Sequence, residues 1–124
     1  MIWDHKEYLF KHLVGSLKEA DPRDVRKSED SYSTRFNPVS RAVVSMHYDP
    51  RLRSNKVYVL SHVQRDGGIT TYVSGCSDSV PDKSCRITNN QGAKILQELY
   101  ENIQVTRQRY MAMLRKRRSR ARNR

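Results

Sequence analysis

The last ten residues, Arg115-Lys116-Arg117-Arg118-Ser119-Arg120-Ala121-Arg122-Asn123-Arg124, carry seven positive charges and no negative one. Arg107 and Arg109 lead into this run, and no acidic residue follows Glu101. Nine of the 24 basic residues thus fall at or beyond Arg107, and the remaining fifteen face all thirteen acids. Most of the net charge of +11 therefore sits on one end of a nearly neutral body. Guanidinium and ammonium groups at this density neutralise phosphates and release counterions, which gives affinity without sequence information. Two other readings stand beside this one: a solvated charge run, and an arm that docks on an acidic protein surface.

A second group pairs aromatic with basic residues: Tyr58 and Tyr72, with Arg41, Arg51, Arg53, Lys56 and Arg65. Together they would make a platform where bases stack beside a positive groove, because every base has a π-face and stacking tolerates any sequence. Against it, tyrosine is simply favoured in strands. No aromatic pattern of an RNA-recognition motif, no zinc-finger spacing and no KH clamping loop is present.

Catalytic chemistry finds no constellation. No carboxylate pair stands out, and Ser61 and His62, being adjacent in a strand, face opposite ways. Gly67-Gly68 is not followed by the Gly-Lys-Ser or Gly-Lys-Thr of a phosphate cradle. Cys76 and Cys85 lie nine apart and supply only half of a zinc ligand set. His47 and His62 could approach in a sheet and complete a mixed site with them. The expectation is a protein with no enzymatic activity, no metal and no cofactor, and with reduced thiols.

The elements that position these groups follow from periodicity. Phe10, Leu13, Val14 and Leu17, flanked by Leu9, predict a helix over 5–19, ended by Asp21-Pro22. Residues 21–31 read as a polar linker. Period two then predicts four strands: Tyr32–Phe36, Arg41–Tyr48, Lys56–Gln64 and Ile69–Ser74. The last two are joined by a hairpin at Arg65-Asp66-Gly67-Gly68. On the third strand Val57, Val59 and Val63 share one face and Tyr58, Leu60 and His62 the other. Neither face is plainly polar, so each is expected to meet something. Residues 75–90 read as a loop in which Arg86-Ile87 has no assigned place. From Gln91 a long helix follows, with Leu96, Leu99, Ile103, Tyr110 and Met113 stepping as an a/d seam. That seam predicts either a homo-oligomer contact or an ordinary helix lying on its own sheet.

The expected fold is α+β: an N-terminal helix, a four-stranded antiparallel sheet, and a long C-terminal helix ending in a basic tail. Residues 1–114 would form one domain and 115–124 the tail. No apolar run approaches the ~20 residues of a membrane span, and the N-terminus lacks a secretory pattern, so a cytoplasmic protein is expected.

A sheet flanked by helices, with an open basic face and an arginine-rich end from Arg115 to Arg124, resembles the small single-stranded-DNA-binding transcription cofactors of bacterial viruses. The resemblance is architectural and compositional, and no residue roles are carried over from it. It implies a non-enzymatic protein that coats single strands in a host cytoplasm and helps a polymerase open or find promoters. The expected ligand is single-stranded DNA, bound by Arg41, Arg51, Arg53, Lys56, Tyr58, Arg65, Tyr72, Arg107, Arg109, Arg115, Lys116, Arg117, Arg118, Arg120, Arg122 and Arg124. A structural RNA binder of ribosomal or nucleocapsid type, and a protein that modulates an enzyme such as RNA polymerase, are the alternatives.

Overall fold

The computed structural model describes residues 5–48, 56–74, 85–88 and 90–122. Arg51, Arg53, Cys76 and Arg124 lie outside the described residues. The chain is α+β, with helix α1 (His5–Glu19), six strands and helix α2 (Asn90–Arg122). The strands are β1 (Arg26–Ser28), β2 (Ser31–Asn37), β3 (Ser40–Tyr48), β4 (Lys56–Gln64), β5 (Ile69–Ser74) and β6 (Cys85–Thr88). They lie in one sheet in sequence order. β1 to β5 pair antiparallel, and β6 adds on parallel to β5.

The four expected strands thus become five antiparallel strands and a parallel sixth. Both additions are short. β1 occupies the end of the expected linker, where Arg26, Lys27 and Ser28 are all exposed and show no apolar alternation. A short, charged edge strand of this kind blunts a sheet edge against unwanted pairing. β6 holds Arg86-Ile87, which pair with Tyr72 and Val73. A parallel neighbour needs a long connection rather than a tight turn, and residues 75–84 separate the two strands.

Turn chemistry sets the register. In the β4–β5 hairpin Gly67 takes a φ of 97°, a left-handed conformation that glycine adopts without penalty. The Gln64 amide donates to the Gly68 carbonyl at 2.8 Å, and the Gly68 amide donates to Asp66 Oδ1 at 2.9 Å. At the β2–β3 turn Asn37 Oδ1 accepts from the Val39 amide, and the Val39 carbonyl accepts from the Arg65 amide. The two turns are thereby tied to each other.

Both helices pack on the same face of the sheet. Leu13 and Leu17 of α1 and Leu96, Leu99, Tyr100 and Ile103 of α2 are buried in one cluster with Tyr32, Val44, Tyr58, Leu60 and Tyr72. α1 stops where sequence predicted. Asp21 caps a single 3₁₀ turn over Pro22–Asp24, accepting from the Arg23 amide at 3.0 Å. Its ion pair with the Arg23 guanidinium, also 3.0 Å, is exposed and adds little to stability. Arg23 nonetheless holds the Asp21 carboxyl below its ordinary range, through its side-chain hydrogen bond first.

Three polar side chains, Thr34, Ser40 and His62, are buried among the described residues, and His62 is the titratable one. It is 7% exposed, meets the Phe36 ring edge-on at 5.1 Å, and finds no hydrogen-bond partner for Nε2 among the described residues. Burial lowers its pKa below the ordinary 6.5. The unfolded chain therefore binds the proton more readily. The stability contributed by neutral His62 is complete above about pH 6.5 and declines as pH falls toward the lower folded value. Thermal melts of wild type and His62→Phe between pH 7.5 and 5 check this, with a shallower loss of Tm on acidification expected for the variant.

Candidate nucleic-acid interface

Two surfaces gather several of the cationic groups. The first is the distal part of α2, which runs without a break across residues 114 and 115. Beyond Ile103 no residue of the helix is buried, and Arg115 to Arg122 are all exposed. At 1.5 Å per residue, residues 108–122 add about 22 Å of helix. At 100° per residue, Arg109, Arg115, Lys116, Arg117, Arg118, Arg120 and Arg122 point in every direction around the axis. The arm is a rod that is positive on all sides. Lys116 with Arg120 and Arg118 with Arg122 are like-charge pairs four apart, which weaken a helix unless an anion offsets them.

The stripe that faces the body explains the seam. Leu96, Leu99 and Ile103 are buried against the chain's own sheet and α1, so they are core residues and not an oligomer contact. An α-helix drifts by about 20° per heptad against a 3.5-residue repeat. By the third heptad the stripe has passed from Met113, 40% exposed, to half-buried Leu114. Tyr110 and Leu114 continue it, and of the expected seam only Tyr110 remains on this line outside the core.

The second surface is the sheet face turned away from both helices. Register places Arg26 and Ser28 of β1, Ser31, Ser33 and Arg35 of β2, and Arg41, Val43, Ser45 and His47 of β3 on it. Val57, Val59, Ser61 and Val63 of β4 and Ile69 and Thr71 of β5 lie on it too, with Val57 buried and the others on β4 half-buried. Among the described residues no helix covers this face. Arg41 is the one expected binding residue in its midst, and Arg26 and Arg35 join it. Neither carries a signal in the sequence: Arg26 lies in a segment without apolar alternation, and only the register puts Arg35 beside Arg41.

Tyr58 and Tyr72 do not lie on this face. They are 5% and 4% exposed and belong to the helix-covered core. Tyr100 of α2 links the strands there, with ring centroids 5.2 Å from Tyr32 and 5.6 Å from Tyr58, while Phe10 meets Tyr72 edge-on at 5.2 Å. Burial raises the pKa of Tyr32, Tyr58 and Tyr100. The expected stacking platform is corrected accordingly: β4 and β5 turn their even-numbered residues toward the helices, Tyr58 on the first and Tyr72, opposite Leu60, on the second. Lys56 and Arg65 are exposed at strand and hairpin ends.

The same alternation separates the histidines. His47 is exposed on the open face, where Nε2 lies 3.0 Å from Ser45 Oγ, and His62 is buried on the other. They cannot share an ion. Among the described residues no three His, Cys, Asp or Glu side chains gather closely enough to hold a metal. A cleft of about 180 Å³ between α1 and α2 is lined mainly by apolar side chains such as Val14, Leu17 and Ile103, with Lys18, Glu98 and Arg107 also on its wall. No helix among the described residues is long and apolar enough to cross a membrane.

No family model, no curated protein and no solved structure matches the chain.

The buried tyrosines give a direct check. Tyr100→Ala should cost about 3–5 kcal/mol, the range for removing a large buried aromatic, read from urea unfolding.

Proposed function

We propose that the chain is a non-enzymatic nucleic-acid-binding protein that grips the phosphate backbone and reads little sequence. The observation that carries this reading is the exposed arm of α2, positive around its whole circumference and free of acidic residues beyond Glu101. Phosphates along a strand would neutralise the arm's like-charge pairs and release condensed counterions. A role as a transcription or replication accessory factor, with a polymerase as protein partner, is the biological setting this chemistry suits.

With Tyr58 and Tyr72 in the core, preference for single strands has no stacking platform to draw on. The proposed recognition is therefore of phosphates first, common to single strands and duplexes. A helix is also narrow enough to enter the major groove of a duplex.

Fluorescence anisotropy with labelled single-stranded DNA, duplex DNA and single-stranded RNA over a salt series tests the proposal. Log K should fall linearly with log salt, with a slope near −0.7 per phosphate neutralised on single strands and near −0.9 on duplex. The full chain with Arg115, Arg117, Arg118, Arg120 and Arg122 changed to Gln should lose most of that slope. Salt-independent binding, or none, would refute the reading.

A further inference from the structure

We propose that Arg26, Arg35 and Arg41 form a phosphate-binding site on the open face of the sheet, which takes a phosphodiester of a bound nucleic-acid strand. The site rests on the function proposed above and gives the folded body, as distinct from the arm, a share in binding.

The register brings the three together. Arg35 stands directly opposite Arg41 across β2 and β3, and Arg26 stands opposite Ser33, two residues along from Arg35 on the same face. Like charges directly opposed in a sheet are destabilising, and their usual remedy is an interleaved carboxylate. Here none is supplied: among the described residues no acidic side chain forms an ion pair with any of the three. Arginine cannot shed its proton to relieve the strain. Three positive charges therefore stand together on the folded body, and a bound anion would offset them.

Arg41 is also set in position. It is half-buried, and its Nε and Nη2 reach Ser33 Oγ at 3.4 and 3.2 Å. Burial weakens its hold on its proton, and the charges of Arg26 and Arg35 add to the effect, so the three sense one another electrostatically. The Ser33 contact uses part of a five-donor fork and orients the rest. A planar guanidinium held in this way is suited to two parallel hydrogen bonds to phosphate oxygens. Around it the face carries small hydroxyl side chains, Ser28, Ser31, Ser33 and Ser45, a residue type that contacts phosphates widely. Among the described residues it carries no Phe, Tyr or Trp, so it suits the backbone and not the bases.

The shape of the surface favours a polymer over a small phosphate compound. A free phosphate gains tight binding from an enclosing pocket, whereas this face is a broad sheet surface. A strand already held by the arm presents further phosphates to the face at high effective concentration, so modest local affinity suffices.

The test uses the full chain and a labelled single-stranded DNA over a salt series. Arg35→Gln/Arg41→Gln, with the arm intact, should bind about tenfold more weakly and lower the salt slope by about one, the signature of lost phosphate contacts. Without ligand at low salt, the double variant should melt at or above the wild-type temperature, because a like-charge pair has been removed. Exposed Arg35→Gln alone provides a second, milder variant with the same direction of change. Wild-type affinity and slope in both variants, while the arm variant loses binding, would overturn the site and leave the proposed function standing. Absence of binding by the wild-type chain would overturn both.

Discussion

Burial of one sheet face by both helices is the constraint on which the other features depend. Leu13 and Leu17 from α1 and Leu96, Leu99, Tyr100 and Ile103 from α2 are buried in one cluster with even-numbered residues of β2 to β5. A sheet so covered needs no second helical layer, and antiparallel sheets commonly leave one face toward solvent. The face left over is where Arg26, Arg35 and Arg41 come together. The same packing ends near Ile103, although α2 continues to Arg122. The arm is thus the unburied remainder of a helix whose first half is core.

Charge segregation follows from this geometry. Near-neutrality before Arg107 lets the body fold without large self-repulsion. The concentrated charge lies where packing makes no demand, on a projecting helix. Helix-terminal cations also interact favourably with the macrodipole at the C-terminal end, which offsets part of their mutual repulsion. The open face repeats the pattern on a smaller scale, with like charges gathered where no core contact requires them. Two unneutralised cationic surfaces on one small chain suit an extended polyanion better than a compact one.

Much of this was legible from residue order, and the gaps have physical causes. The helix over 5–19, the long C-terminal helix and the strands from Tyr32 to Ser74 were visible because each buries one side, which leaves a period of 3.6 or 2. β1 and β6 were not, since three or four residues at a sheet edge leave no such period. The candidate site was legible in part. The basic run from Arg107 announced itself by composition alone. The face of Tyr58 did not, because β4 has bulky residues on both sides, Val57 and Val59 against Tyr58 and Leu60, and Tyr72 on β5 follows the face of its partner Leu60. Only knowing where the helices lie decides which side is core. The arginine trio was hidden for a related reason: Arg26, Arg35 and Arg41 have no sequence spacing in common and meet only through strand register.

Backbone hydrogen exchange of the full chain, with and without a saturating oligonucleotide, distinguishes an arm held by phosphates from one that binds nothing. An exposed, self-repelling helix should exchange rapidly over residues 108–122 when free, and slowly once phosphates offset its charge. Ligand-induced protection is expected there, with a smaller gain across Arg26–Arg41. Equal exchange of both segments in the two states would contradict it.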